Sequence, residues 1–134
     1  MKNTLAGKPI IPFETERKKL EDMAGTVISG VIYGIVAIIM FGIGLSQLKS
    51  VEPVGFYSGE KPPQKEQLSD VRAWNKKHGT MWVIYGFCIV GSWICSVFIG
   101  DSIYSVIPLT AGILAPVIIM IKYHHSLIKK YFVN

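Results

Sequence analysis

The side chains with the widest chemical reach in this 134-residue chain are its three histidines, His78, His124 and His125. Asp70 precedes His78 by eight residues with Trp74 midway, so on a helix all three share one face. A carboxylate and an imidazole can act as an acid–base pair only within hydrogen-bond reach. Eight residues of continuous helix hold them about 12 Å apart. The spacing therefore predicts no catalytic residue and leans against an enzyme. Three imidazoles gathered at one place could bind a metal or sense pH. Adjacent His124 and His125, however, diverge by about 100° on a helix, and no carboxylate or cysteine is placed beside them by the sequence. The expectation is polar residues beside lipid headgroups, with no metal and no cofactor.

What must position these residues is a membrane. Half of the residues are hydrophobic. Residues 24–46, 81–100 and 102–121 contain no Asp, Glu, Lys, Arg or His. Each run has roughly the 20 residues that cross about 30 Å of hydrocarbon as a helix. The predicted class is all-α integral membrane: three transmembrane helices with a short interfacial helix in the first loop. The first run follows a polar stretch and exceeds the usual ~7–15 apolar residues of a cleaved signal, so it reads as a retained span. The remaining segments are a polar arm (1–23), a loop (47–80) and a basic tail (122–134). Gly100-Asp101-Ser102 is turn chemistry and makes the last two spans antiparallel neighbours.

The loop and tail carry nine of the 14 Lys and Arg residues, the arm five and the hairpin none. That bias predicts a cytoplasmic loop and tail, with the N-terminus outside. Three spans then bring all three histidines to one membrane face. Pro53, Gly55, Gly59 and Pro62-Pro63 argue against regular structure early in the loop. Beyond them, residues 64–77 read as an amphipathic helix, with Leu68, Val71 and Trp74 recurring every third residue and Gly79 as a flexible joint. Trp74 would be its headgroup anchor.

Small residues recur every fourth position in the second span, at Cys88, Ser92, Ser96 and Gly100, and Gly30 and Gly34 form a GxxxG match in the first. Ala111 and Ala115, with Pro108 and Pro116, mark the third. Such stripes let membrane helices approach closely, within one chain or between copies; a homo-oligomer is expected. Cys88 and Cys95 lie about 10 Å apart along one helix, too far to pair with each other. The uncharged interiors argue against proton-driven export and against three-span lipid kinases. Ser29, Ser92, Ser96, Ser105 and Thr110 are hydroxyls expected to bond back to their own helices. No phosphate-binding glycine loop, nucleophile elbow or HExxH helix occurs.

The stretch "VGFYSGEKPP", then "LSDVRAWNKKHGTMW" and two spans joined by a tight hairpin, resembles small bacterial membrane proteins of the SdpI type. The matching positions are Gly55, Trp74, Asn75, His78 and Gly79, over about half the chain. The resemblance implies a role in immunity or self-protection against a membrane-active toxin or peptide. The expected function is thus a small non-catalytic membrane interaction protein, with Trp74, His78, Ser92, Ser96, Cys88, Gly30 and Gly34 as its working residues. Its partners would be the lipid bilayer, further copies of the chain and a protein or peptide in the membrane, with no nucleic acid. The alternatives are a homo-oligomeric transporter or channel lined by Ser92, Ser96 and Thr110, and a membrane enzyme using His78, Asp70, His124 or His125.

Overall fold

The uncharged runs lie within three long helices in the computed structural model, which describes residues 7–57 and 59–133, with side chains described from residue 13 onward. They are α1 (Gly7–Lys49), α2 (Val71–Ile99) and α3 (Val106–Tyr131). Each is long and apolar enough to cross a membrane. Large apolar side chains point outward: Ile38, Phe98 and Ile103 are 69%, 86% and 82% exposed. Surfaces of that kind belong in lipid. The chain is an all-α, multi-pass membrane protein.

It divides into two units, Met1–Ile32 and Tyr33–Asn134. The described part of the first unit is the opening stretch of α1. There Thr26 Oγ1 donates to the Asp22 carbonyl and Ser29 Oγ to the Thr26 carbonyl, both at 3.0 Å. A hydroxyl in an apolar helix is satisfied in this way by its own backbone. The arm over 1–23 is helical from Gly7 and continuous with the span that follows; residues 1–6 lie outside the described residues.

The second unit holds the rest of α1 together with α2 and α3. Two corrections to the sequence reading concern the entry to α2. The amphipathic helix expected over 64–77 is not a separate element. A single 3-10 turn, Lys65–Gln67, follows the prolines, and the chain then extends through Leu68 to Asp70. The Asp70 carboxylate accepts from the Ala73 amide at 2.9 Å, and α2 starts there because a short acceptor side chain satisfies one of its free amides. Nor is Gly79 a joint. It lies within α2, where a Cβ would stand 2.7 Å from the Gly44 carbonyl oxygen; a Cβ at Gly44 would stand equally close to the Gly79 oxygen. Two glycines meeting in this way let the backbones of α1 and α2 touch, which is how helices associate where burial alone gives no drive.

The expected Gly30–Gly34 stripe is not this contact. Gly34 and Gly42 have nothing near the position of a Cβ, and Gly30 belongs to the first unit. On α2 the small-residue stripe meets α3 at Ser92, which a side chain at Gly112 would overlap, and Ser96 is buried as well. Ala111 and Ala115, the small pair noted in the third span, are exposed. Gly100 leaves the stripe and ends α2 at φ 79°, a conformation that favours glycine. Inside α3, Pro116 leaves the carbonyl of Gly112 without its helical donor. Close by, Tyr85 donates to the Ile113 carbonyl at 3.1 Å and Tyr33 to that of Leu109 at 3.3 Å.

Side-chain burial gathers in two places. One is the helix interior around Ala37, Met81, Tyr85, Ile89 and Met120. The other is a cap at one end of α2 and α3, around Leu68, Trp74, Leu127 and Tyr131. An isolated bridge fastens the cap, with the Ser69 amide on the Tyr131 carbonyl at 2.7 Å and the Val133 amide on that of Gln67 at 2.8 Å.

Candidate functional site

The cap contains the densest polar structure among the described residues. Trp74 is 1% exposed, Asn75 2% and His78 0%, so Trp74 is no headgroup anchor. Its indole Nε1 donates to the Val54 carbonyl at 2.9 Å. Asn75 uses its whole amide: Oδ1 accepts from the Val54 amide at 3.1 Å, while Nδ2 donates to the carbonyls of Ser50 at 3.1 Å and Glu52 at 2.8 Å. Gln47 Nε2 adds a bond to the Gly55 carbonyl at 3.1 Å. These bonds hold the first part of a glycine- and proline-rich loop whose own backbone makes few regular contacts. On the surface, Glu52 and Lys65 pair at 2.8 Å. The hydrogen bond from Lys65 to Glu52 raises the Lys65 ammonium pKa above its usual value, and the carboxylate's charge adds to this. A pair so exposed contributes little stability.

Below the loop lies a chain of three titratable groups. His78 Nδ1 is 2.9 Å from the Trp74 carbonyl oxygen, and His78 Nε2 is 2.8 Å from His124 Nδ1. His124 Nε2 is 3.3 Å from Glu60 Oε2. Glu60 is itself held, its Oε1 accepting from the Phe56 amide at 2.8 Å. Aromatic rings enclose the imidazoles. Phe56 stacks on His124 with centroids 4.6 Å apart and planes 21° apart, and Trp74 covers His78 at 4.2 Å.

Counting hydrogens fixes what this arrangement holds. A carbonyl only accepts, so His78 Nδ1 must donate. One further proton is needed between the two rings and one between His124 and Glu60. Two neutral imidazoles supply two protons. The third either makes the imidazole pair cationic against an ionised Glu60, or rests on Glu60. In each arrangement the trio is electrically neutral as a whole, which is how buried charge is tolerated. Burial of both rings away from water works against the cationic form.

The geometry brings together His78 and His124 of the sequence candidates. Asp70 is a helix cap, and His125 is exposed. Among the described residues no group of three His, Cys, Asp or Glu side chains is arranged to hold a metal ion; each ring nitrogen joining His78 to His124 already faces the other ring. Ser92 and Ser96 lie away from the cap, their hydroxyls donating to the Ile89 and Trp93 carbonyls at 2.8 and 2.7 Å. Cys88 is half-buried. Glu60 and Phe56 were not among the sequence candidates. No periodicity marks them, for they lie in an irregular loop; the only signal was the glycines and prolines around them, which require the chain to fold tightly there.

Beside the trio a cavity of 470 Å³ opens, lined by Glu60, Lys61, Gln64, Gln67, His124 and Phe132, among others. The trio is therefore reachable from solvent at its Glu60–His124 end and closed at its His78 end. Compared with family models, curated proteins and solved structures, the chain matches none of them.

Proposed function

We propose that this chain is a small, non-catalytic membrane interaction protein of a bacterial cytoplasmic membrane, presenting its cap to a cationic membrane-active peptide or toxin and protecting the cell that makes it. The observation that carries this reading is the fixed shape of the loop. Trp74, Asn75 and the His78–His124–Glu60 trio all serve to hold residues 50–57 and Glu60 in place beside an open cavity. A preformed surface binds without the cost of ordering it. The charge of the segment supports the same partner. In a chain of net charge +5, residues 50–70 carry Glu52, Glu60, Glu66 and Asp70 against Lys61 and Lys65.

With the cap on the cytoplasmic side, as the positive charges of loop and tail favour, the partner is met where it is made. That sense suits self-protection, the role implied by the SdpI-type resemblance. Copies would associate through α1, where Gly34 and Gly42 leave open space. A path for solute has less support, because the hydroxyls of Ser92 and Ser96 are engaged with their own helix.

The test is binding of a synthetic lysine–leucine amphipathic peptide to the full chain in zwitterionic nanodiscs. Binding should exceed that to empty discs and should weaken in the Glu52→Gln, Glu66→Gln double variant, whose changed residues lie outside the trio. Equal binding to loaded and empty discs would overturn the reading. Reaction of a Lys61→Cys variant with an impermeant thiol reagent in intact cells would contradict the orientation.

One observation favours a second reading, an enzyme at the membrane face. His124 and Glu60 form an accessible imidazole–carboxylate pair at the cavity wall, the geometry a general base needs. An enzyme would lose turnover in a His124→Asn variant that still folds, whereas the interaction reading makes peptide binding follow the stability of the cap.

A further inference from the structure

A second cavity lies on another side of α2 and α3, and its chemistry differs from that of the cap. This groove of 630 Å³ is lined at one end by Lys76, Lys77 and Tyr123 and deeper in by Ile84, Cys88 and Pro116. Its axis is set by the two helices. From Lys77 to Cys88 is eleven residues of α2, about 16 Å at the ordinary helical rise. That is half of a hydrocarbon core of about 30 Å. The groove therefore begins at the charged ends of the helices and runs inward by about one leaflet.

Its polarity follows the same gradient. Lys76 and Lys77 are exposed, and among the described residues neither is ion-paired. Both lie just outside the uncharged run that starts at Met81, at the depth of lipid headgroups. Tyr123 contributes an amphipathic ring at the same level, the usual position of tyrosine in membrane proteins. Beyond Thr80 the lining is apolar apart from the Tyr85 hydroxyl, which already donates to the Ile113 carbonyl. A water-soluble anion would find charge at the mouth and nothing to bind below it. A second helix would bury Lys76 and Lys77 without a counter-charge, which is costly.

We propose that the groove is a binding site for one anionic phospholipid of the surrounding leaflet, its phosphate between Lys76 and Lys77 and an acyl chain lying along Ile84 and Cys88 toward Pro116. The site is independent of the peptide partner proposed for the cap, on which no residue of this argument depends.

The experiment is native mass spectrometry of the full chain released from nanodiscs of equal parts phosphatidylglycerol and phosphatidylcholine. One phosphatidylglycerol should be retained per chain in preference to phosphatidylcholine. The Lys76→Gln, Lys77→Gln double variant should lose that preference by about 30-fold, the equivalent of about 1 kcal/mol per lysine near an anionic headgroup. A Lys76→Arg, Lys77→Arg variant should keep it, which separates loss of charge from loss of fold. Ile84→Trp, which fills the apolar part, should lower retention of lipid while leaving the thermal transition in place. Equal retention of the two lipids, an unchanged preference in the glutamine variant, or a second copy of the chain in place of lipid would each overturn the proposal.

Discussion

The two packed regions of this molecule are held together by opposite means. Where the helices run side by side, α2 comes closest to its neighbours at small residues: Gly79 lies on Gly44, Gly86 under the Phe41 ring, and Gly112 on Ser92. In the cap, contact is made by the largest side chains available, Trp74, Tyr131 and Phe132 around His78 and His124. The difference follows from the solvent. Lipid is as apolar as leucine, so association there depends on close approach. At the membrane face water is present, and burial of aromatic rings again stabilises. Polar groups follow the same division. Hydroxyls within the spans bond to nearby helix backbone, while the cap uses polar side chains to fix a loop.

That comparison can be broken at several points. The largest effect is expected at Trp74→Ala, which empties the centre of the cap and leaves the Val54 carbonyl without its donor. It should cost about 3–5 kcal/mol, read as loss of the cap's protection in hydrogen exchange while the interior of α2 stays protected. Next is His78→Ala, which opens a cavity and removes one end of the trio. A buried group left without its partner costs about 1–3 kcal/mol. Between α1 and α2, Gly79→Leu should be comparable, about 1–3 kcal/mol for overpacking, and should lower the thermal transition in mild detergent. Gly34→Ala, whose added Cβ meets nothing within 4 Å in this chain, should leave the transition of the monomer in place. A large shift there would move the packing of α1 away from Gly44.

The sharpest distinction is at Glu60. Glutamine can still accept from the Phe56 amide and can donate its own N–H to His124 Nε2, keeping all three links with two neutral imidazoles. Alanine cannot. Glu60→Gln should therefore fold as the parent does, and Glu60→Ala should lose about 1–3 kcal/mol. Equal behaviour of the two would show that Glu60 does not take part in the trio.

Much of the fold was legible in the sequence because the spans are contiguous. Residues 24–46, 81–100 and 102–121 announce themselves by having no charge, and Gly100-Asp101-Ser102 marks the turn between two of them. The cap was not legible for the opposite reason. His78 and His124 lie 46 residues apart in sequence, and no local pattern states that their rings will touch. Period-three spacing at Leu68, Val71 and Trp74 suggested a lipid-facing stripe; instead Leu68 pairs with the C-terminal segment through its bridge to Phe132, and Trp74 turns inward to the loop. An apolar residue facing lipid and one facing a small aromatic core have the same periodicity. Similarly, Gly30 and Gly34 matched a packing motif by spacing alone, whereas the contact uses Gly44, whose partner, Gly79, sits on a different helix.

The central claim is that His78, His124 and Glu60 form one hydrogen-bonded chain. Nitrogen-15 NMR of the histidine side chains, in the full chain held in lipid nanodiscs, tests it most directly. The account predicts a proton shared between His78 Nε2 and His124 Nδ1, seen as a coupling across that hydrogen bond, and none involving His125. It also predicts that the coupling survives Glu60→Gln and weakens in Glu60→Ala. Three independent imidazoles, each exchanging freely with water and unaffected by either substitution, would contradict it.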